Sequence, residues 1–388
     1  MAETEKKKKA LLIASMASML DNFNRGNIDI LLDIGYELTL ASNFCTKADS
    51  NSKEKIDQFL NEMKTKGVRC VQIDFSRQLF NIPEQLKSYN QVKNLLKENF
   101  TLIHCHSPIC AAITRLCAER YRKKGTKVVY TAHGFHFYNG SSFWNWMLFY
   151  PIERFFSSWT DCLITINKED YYRAKKFFYS KEVLLVPGVG IDIDKFHNTR
   201  VDKKAKREEI GLSEEDIMIL SVGELNKNKN HQLVIRAISR LKNDKIHYVI
   251  AGQGVQYQSL RKLANKLHVS LHLLGFREDI PQLLSISDIF TFPSKREGLG
   301  LALVEALVAG KTAVASRIRG PKDIIQNEEG GILVPVENEK EWSKAIYMLI
   351  KDCELKGQKY AIDFDKLKKY GKNEVNKTMK NLYQGVLV

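Results

Sequence analysis

Short apolar runs alternate with longer amphipathic stretches along most of the chain, and the whole series occurs twice. Apolar runs separated by helical patterns are typical of parallel strands whose sheet is covered by helices on both faces. The first series predicts strands at 11–15, 37–42, 70–73, 102–104, 127–131, 162–166 and 183–186. The second predicts strands at 217–222, 247–251, 270–274, 289–293, 312–315 and 332–334. The sequence therefore predicts an α/β fold with two doubly wound parallel sheets.

The segment between the two series sets the predicted domain boundary. Pro187-Gly188-Val189-Gly190 is a turn-rich break, and a polar, basic stretch follows it as far as Glu209. With 388 residues the chain is long enough for two cores of ordinary size. We therefore predict domains at 1–186 and 187–388. Helices are expected at 27–34, 53–66, 82–98, 111–124 and 299–309, and the tail after 341 is expected to form two or three helices that pack back towards the first domain.

Charge limits the partners without selecting one. Lysine and arginine total 60 against 45 acidic residues, which gives a net charge of +15. Because the excess is spread over both halves, it suits nucleic acid, an anionic membrane or a phosphorylated substrate. The seven cysteines form neither a C-x-x-C pair nor a zinc spacing, which favours reduced thiols and a cytoplasmic protein.

The N-terminal residues imitate the start of a signal peptide, with Lys6 to Lys9 in front of an apolar run. We expect a buried first strand instead, because 21–25 offers no small-residue cleavage site. The sequence has no run of 18 or more apolar residues, so we expect no membrane-spanning helix.

The most specific motif runs from Glu297 to Glu305 in PSKREGLGLALVEALVAG. A strand, a short loop and a helix are expected here, and the unbonded amides of the first helical turn make an anion site suited to a diphosphate. Those amides belong to Gly298, Leu299, Gly300 and Leu301. Glu297 can accept hydrogen bonds from sugar hydroxyls, and Glu305 from the two adjacent hydroxyls of a ribose. The alternative is a capped, solvated helix with incidental carboxylates.

Three further stretches, TAHGFHFYNG, YPIERFFSSWTDCLITINKED and VPGVGID, complete a pattern that resembles family 4 retaining glycosyltransferases of the GT-B fold. The likeness covers nearly the whole chain and extends to the subgroup that builds bacterial capsule and exopolysaccharide repeats. The resemblance implies two Rossmann-like domains facing a central cleft, the first binding the acceptor and the second the nucleotide sugar. It also implies transfer of a hexose or N-acetylhexosamine from a UDP-sugar to a lipid-linked saccharide, with retention and without a cofactor.

The resemblance assigns roles to further positions. His133, in TAHGF, is expected to hydrogen-bond the donor sugar; the alternative is a buried structural histidine, and His106 and His136 are either acceptor-side or structural. Gly223, which follows the predicted strand 217–222, is expected to contact the donor, and Lys229 in the same loop matches the family's diphosphate lysine. The family's partner arginine is replaced by Glu224, so that either Lys227 or Arg296 supplies the second cation or the phosphate site is weaker.

Other donor contacts are expected in loops that follow strands. Gly252 lies in a dinucleotide-type turn, and the backbone at Phe276 and Arg277 is expected to meet the base. Asn24 and Gly26 lie in the first loop, where relatives often carry paired glycines. We expect no metal, because no D-x-D follows an apolar strand, the nearest match being Asp192-Ile193-Asp194 in the linker, and Lys229 with the helix amides can replace a cation.

An aromatic segment, WNWMLFYPIERFFSSW at 144–159, is expected to be a helix that is either buried or partly inserted at a membrane surface. The basic residues from Arg115 to Lys127 contact anionic lipid or are a solvated helix end. The enzyme would then be cytoplasmic, with peripheral contact at the inner face of the cell membrane. Two other functions stay open: a sugar-nucleotide epimerase of the same fold, and a basic nucleic-acid-binding protein, although no recognition motif supports the latter.

Overall fold

The computed structural model describes residues 8–46, 49, 51–76, 78, 81–355 and 359–385. The chain divides into two compact units. The first comprises residues 1–190 together with 373–388, and the second comprises residues 191–372. The last helix of the chain is therefore part of the first unit.

The first unit contains a parallel sheet of seven strands among the residues described, in the order β3-β2-β1-β4-β5-β6-β7. The strands are β1 Lys9–Ile13, β2 Glu37–Ser42, β3 Arg69–Gln72, β4 Leu102–His106, β5 Lys127–Ala132, β6 Cys162–Thr165 and β7 Glu182–Leu185. Its helices are α1 Ala17–Phe23, α2 Arg25–Asp33, α3 Lys53–Thr65, α4 Ile82–Leu95, α5 Pro108–Arg122, α6 Phe143–Ser157, α7 Lys168–Phe177 and, at the end of the chain, α17 Lys372–Gly385.

The second unit contains a parallel sheet of six strands within the described ranges, in the order β10-β9-β8-β11-β12-β13. The strands are β8 Ile217–Val222, β9 Ile246–Ala251, β10 Ser270–Gly275, β11 Ile289–Phe292, β12 Ala313–Ser316 and β13 Gly331–Val334. Its helices are α8 Ile193–His197, α9 Lys203–Glu209, α10 His231–Ser239, α11 Tyr257–Lys266, α12 Ile280–Ile286, α13 Leu301–Val308, α14 Pro321–Ile324, α15 Glu339–Glu354 and α16 Phe364–Leu367.

The predicted fold class and the predicted strands are confirmed. Each predicted strand is present, and the ends differ by at most two residues. The central strands are buried on both faces, as β1 shows with Leu11, Leu12 and Ile13 all inaccessible to solvent. Because parallel strands are covered by helices on both sides, they appear in the sequence as continuous apolar runs. Among the helices of the described residues, none is long and apolar enough to cross a membrane.

Each sheet reverses its winding direction once, and this defines where a ligand is expected. In the first unit the reversal lies between β1 and β4, and in the second between β8 and β11. In open α/β sheets, ligands bind outside the carboxyl ends of the strands at such a reversal. Ligand-binding residues are therefore expected in the loops after β1, β4, β8 and β11.

Candidate active site

The strongest candidate site lies at the reversal point of the second sheet, where an ion pair joins the loops that follow β8 and β11. Lys229 Nζ lies 2.7 Å from Glu297 Oε1, and both side chains are about four-fifths buried. The ammonium group also lies 5.2 Å from the centre of the Phe292 ring. A Cβ on Gly223 would lie 3.2 Å from the Lys229 side chain, so the glycine leaves room for the lysine stem. Two residues predicted separately for phosphate and sugar are thus in direct contact.

Main-chain contacts hold these two loops together. The Lys295 amide donates to the Asn228 carbonyl at 2.8 Å, and the Asn228 side chain donates to the Arg296 carbonyl at 3.0 Å. The buried Arg319 donates through Nε to the Glu297 carbonyl at 3.1 Å. Sequence reasoning missed Asn228 and Arg319. Arg319 follows the end of β12, and that position at the same edge of the sheet is the signal that would have found it.

The helix that follows Glu297 begins later than predicted. It starts at Leu301, and Gly300 is its N-cap with φ of 103°, a conformation that favours glycine. A Cβ on Gly300 would lie 3.0 Å from the Phe292 ring. The prediction that the helix begins at Leu299 is wrong, because the left-handed backbone of Gly300 prevents the helix from extending back to Leu299. The first-turn amides therefore extend from Gly300 to Ala302, while those of Gly298 and Leu299 belong to the preceding loop.

Glu305 lies within α13 and is an unusual carboxylate. Burial raises its pKa from 4.5 to about 7, against a smaller opposing effect of the Lys195 charge. Its side chain makes no hydrogen bond to any other residue that the structure describes. The side chain has intermediate solvent exposure, and a largely desolvated carboxylate without hydrogen-bond donors does not stabilise the fold. Two adjacent ribose hydroxyls would supply the missing donors.

We expect Glu305→Gln to raise the donor KM about tenfold and to leave kcat near the wild-type value. A hydrogen bond to a charged group contributes about 1.5 kcal/mol or more, and a ribose contact is the same in ground and transition states. The wild-type donor KM should also rise as the pH falls below about 7, because protonation of Glu305 removes the negative charge that strengthens the hydrogen bonds from the ribose. Initial rates measured against donor concentration from pH 6 to pH 8 test this; a Gln variant that keeps the wild-type pH profile would contradict it.

Glu305→Gln should stabilise the folded protein although it weakens donor binding. Because the folded state raises the pKa of Glu305, it holds more protons than the unfolded state between pH 4.5 and pH 7. Stability from this group is therefore present at low pH and lost as the pH rises through about 7. We expect Glu305→Gln to have a higher Tm than the wild type at pH 8 and a smaller difference at pH 5, measured by thermal unfolding.

The other predicted donor residues of this unit have mixed positions. A Cβ on Gly252 would lie 1.9 Å from the Gly223 carbonyl oxygen, so this glycine is required by the contact between two loops. Phe276 is largely exposed at the end of β10 and free to meet a base. The Arg277 guanidinium forms ion pairs with Asp279 and Glu209, which raise its pKa. Its side chain is therefore held by protein carboxylates, and only its backbone is left for the predicted base contact.

Glu224 stands where the family has an arginine, and its contacts do not identify a residue that takes over the role of that arginine at the diphosphate. Its carboxylate accepts a hydrogen bond from the Asn226 side chain at 2.9 Å, and Asn226 in turn accepts the Lys229 amide at 2.9 Å. Glu224 thus shapes the loop that presents Lys229. Lys227 and Arg296, the candidates for the second cation, are both exposed.

In the first unit, a cavity of about 400 Å³ lies at the reversal point between β1 and β4. Ser15 and Met16 follow β1, Ser107 and Pro108 begin α5, and His133 lies after β5. Most of the remaining wall is aromatic or apolar, and Glu153 of α6 contributes a carboxylate.

Three histidines form a row beside this cavity. His104 contacts the Tyr383 hydroxyl and the Thr131 hydroxyl, each at 2.8 Å. His106 Nδ1 lies 3.1 Å from His133 Nε2. Burial lowers the pKa of His104 to about 3 and that of His133 to about 4, and it lowers the pKa of His106 well below its usual range. All three are neutral at pH 7, so His133 can offer a hydrogen bond to a sugar but no positive charge.

The first loop does not offer the predicted contacts. Asn24 is fully buried; its side chain donates to the Met19 carbonyl at 2.8 Å and accepts from Asn27 at 2.9 Å. Gly26 lies in α2, where a Cβ would meet the Asn376 side chain of α17 at 2.9 Å. The prediction that Asn24 lines a ligand site is therefore wrong. Its polar groups are used to join α1 to α2, and Gly26 is explained by helix packing.

The predicted absence of a metal is not decided by the structure. Across the part of the chain that is described, no group of three or more His, Cys, Asp or Glu side chains has the arrangement of a metal site. Asp192, in the nearest approach to a D-x-D motif, caps α8 by accepting the Lys195 amide at 3.0 Å. Metal independence stays a prediction.

Two family descriptions match consecutive parts of the chain. "Glycosyltransferase Family 4" matches residues 33–195, and "Glycosyl transferases group 1" matches residues 202–372. EpsD, a provisionally named glycosyltransferase of Bacillus subtilis (strain 168), is 36% identical over 295 residues, which is 73% of this chain and 77% of EpsD. The chain belongs to glycosyltransferase family 4. The predicted family, its capsule and exopolysaccharide subgroup and the prediction of a glycosyltransferase are confirmed.

The chain is also similar to an enzyme of Escherichia coli in sequence and to a protein of Anabaena in structure. The Escherichia coli UDP-Gal:alpha-D-GlcNAc-diphosphoundecaprenol alpha-1,3-galactosyltransferase is 28% identical over 309 residues, covering 74% of this chain and 79% of that enzyme. Anabaena HepE, solved with UDP and glucose, matches with a TM-score of 0.75 and 15% identity, over 97% of this chain and all of HepE. At that identity the second match shows the fold alone, which is GT-B.

Proposed function

We propose that this enzyme transfers a hexose or N-acetylhexosamine from a UDP-sugar to a lipid-linked saccharide, with retention of the anomeric configuration. The observation that carries the proposal is the Lys229–Glu297 pair at the reversal point of the second sheet, beside the amides that begin α13. A cation and free amides suit a diphosphate, and a carboxylate at the same place suits sugar hydroxyls.

The nature of both substrates is supported by the Escherichia coli relative. Its name specifies a UDP-sugar as the donor and a saccharide on diphosphoundecaprenol as the acceptor. The exposed Phe276 and the carboxylate of Glu305 provide contacts for a base and a ribose on the same sheet edge. The cavity beside His133 in the first unit is the corresponding candidate for the acceptor.

The reaction breaks the bond between the anomeric carbon and the diphosphate oxygen. Lys229 and the amides from Gly298 to Ala302 stabilise the charge that develops on the leaving diphosphate. Glu297 orients the sugar, and the hydrogen bond from His133 to the sugar stays a prediction. The acceptor hydroxyl oxygen bonds to the anomeric carbon on the face that the diphosphate leaves, and a phosphate oxygen takes its proton. This front-face route uses no covalent protein intermediate.

We expect a chelator to leave the initial rate unchanged. Lys229 and the helix amides supply the positive potential that a divalent cation supplies in metal-dependent transferases. The measurement is nucleotide release with and without EDTA after dialysis, followed by addition of magnesium or manganese. A rate that falls with EDTA and returns with the metal would contradict metal independence.

We assign the enzyme to the cytoplasm, at the inner face of the membrane that carries its acceptor. All seven cysteines are free thiols, as expected for a reducing compartment.

The test of the proposed function is a donor screen. UDP-, GDP- and ADP-sugars are compared for nucleotide release, with and without a membrane extract that contains lipid-linked saccharides. We expect release that requires both a UDP-sugar and the extract, and an axial product linkage from an axial donor by NMR. Interconversion of the UDP-sugar without an acceptor would favour an epimerase instead, and an inverted product would overturn retention.

A further inference from the structure

Three neighbouring helices of the first unit, α4, α5 and α6, cover the same face of its sheet. Val92 of α4, Ala118 of α5 and Phe149 of α6 all pack on one core. Arg115 of α5 pairs with Glu153 of α6, and Arg122 of α5 donates to the Ser158 carbonyl just beyond α6, so these two helices run side by side in the same direction. Because their inner sides face one sheet, their outer sides face away from it together.

The outer sides of these helices expose large apolar side chains. Trp144 is 70% exposed and Met147 is 55% exposed on α6, although Trp146 and Phe149 of the same helix pack inward. The exposed apolar set consists of Ile82 and Leu86 on α4, Leu116 on α5, and Phe143, Trp144, Met147 and Phe155 on α6. Single exposed apolar residues are ordinary, but several on adjacent helices mark an interaction surface.

Most of this set lies near the edge of the sheet that carries the His133 cavity. In each strand–helix–strand unit the helix runs back along the sheet, so its first turns lie at the carboxyl ends of the strands. Ile82 and Leu86 are in the first turns of α4, and Phe143, Trp144 and Met147 are in the first turns of α6. Helix α6 also lines the cavity from its inner side, through Phe149 and Glu153.

Basic residues occupy the later turns of the same outer surface. Arg120, Lys123 and Lys124 are exposed at the end of α5, and Lys93 and Lys97 at the end of α4 and just beyond it. The acidic residues on or just beyond these helices are Glu84, Glu98, which pairs with Arg69, Glu119, which pairs with Lys123, and the buried Glu153, which pairs with Arg115. The surface therefore has an apolar part near the cavity edge and a net basic part behind it.

This arrangement corrects the basic cluster expected from the sequence. Arg115 is fully buried in its pair with Glu153, and its guanidinium lies over the Tyr130 ring. Arg122 forms two hydrogen bonds with Asp161 and is largely buried. Neither residue can contact lipid. Helix α6, expected to be either buried or partly inserted at a membrane surface, carries apolar residues on both sides.

We propose that the outer surface of α4, α5 and α6 docks on an anionic lipid bilayer, with the apolar residues at headgroup depth and the basic residues on the headgroups. Aromatic side chains favour that depth, and lysine and arginine favour an anionic surface. The proposal rests on the proposed function in one respect: a lipid-linked acceptor is the reason why the edge that carries the cavity would lie against the bilayer. A second copy of the chain is the weaker occupant, because a symmetric pair would bring these basic ends together in an enzyme of net charge +15.

The test measures binding of the full chain to vesicles by co-sedimentation, at low and high salt. Vesicles of phosphatidylcholine alone are compared with vesicles that contain about one third phosphatidylglycerol. The apolar variant is Trp144→Ser with Met147→Ser, and the basic variant is Arg120→Glu with Lys124→Glu. The matched controls, on exposed helices of the second unit, are Tyr347→Ser with Leu355→Ser, and Lys262→Glu with Lys266→Glu.

We expect the apolar variant to lose at least tenfold in vesicle binding at both salt concentrations. The basic variant should lose about fivefold or more per residue on anionic vesicles at low salt, and nothing on neutral vesicles. The controls should bind as the wild type does, except for a small uniform charge effect. All variants should keep the wild-type Tm and UDP affinity.

Two outcomes overturn the proposal. One is wild-type vesicle binding by both the apolar and the basic variant. The other is a wild-type dimer in sedimentation velocity that the apolar variant converts to monomer, which would make a second copy the occupant. Failure of the proposed function is distinguishable, because it would show as no transfer to any lipid-linked acceptor while vesicle binding still depends on these residues.

Discussion

Lys229→Ala is expected to weaken the binding of UDP itself by about 10- to 150-fold. A charge-assisted hydrogen bond to phosphate contributes roughly 1.5–3 kcal/mol, and tenfold corresponds to about 1.4 kcal/mol. The Lys229 ammonium already lies at the reversal point of the sheet, over the Phe292 ring, and its stem packs against Gly223. Little side-chain ordering is therefore needed when a diphosphate binds.

Calorimetry with UDP and with the intact UDP-sugar measures this effect. The matched control is Lys295→Ala. Lys295 lies in the neighbouring loop and pairs with Glu337 at the surface. Lys227→Ala and Arg296→Ala, measured in parallel, identify which residue replaces the arginine lost at Glu224. Unchanged UDP affinity in Lys229→Ala would mean that the diphosphate is bound elsewhere.

Glu297→Gln is expected to slow transfer and to strengthen UDP binding in the same protein. Loss of a charged hydrogen bond to the sugar near the reacting carbon should lower kcat about 10- to 150-fold. In the ligand-free enzyme Glu297 neutralises Lys229 at 2.7 Å, so the carboxylate competes with the diphosphate for the ammonium. A partly exposed pair contributes up to about 1 kcal/mol, which predicts up to a fivefold gain in UDP affinity.

Steady-state kinetics and calorimetry on one preparation separate the two effects. Glu305→Gln is the comparison, since it removes a carboxylate from the same helical motif and is expected to act on the donor KM. Equal losses of kcat with an unchanged donor KM in both variants would contradict the assigned roles. Weaker UDP binding by Glu297→Gln would mean that the pair with Lys229 persists in the complex and orients the lysine.

The amino-acid sequence by itself determined the architecture and the loops that carry the main candidate donor residues. Strands of a buried parallel sheet must be apolar on both faces, so every strand is visible as a short apolar run. The carboxyl ends of the strands lie on one edge of the sheet. Because Lys229 and Glu297 both follow strands, the strand pattern alone puts their loops at the same edge. The glycines around Leu299 likewise predicted a turn into a helix, although not the residue at which the helix begins.

Only the tertiary structure decided which of these side chains are available. Arg277 and Arg115 are charged residues of the kind that bind ligands, but each pairs with a carboxylate that is distant in sequence, on Glu209 and Glu153 respectively. The Asn24 side chain is instead used by hydrogen bonds to nearby Met19 and Asn27. The pairing of Lys229 with Glu297, the buried Arg319 behind it and the outward apolar side of α6 depend in the same way on packing between separate elements. Local sequence fixes backbone preference and apolar periodicity, whereas the partner of a charged group is set by which elements meet in the folded chain.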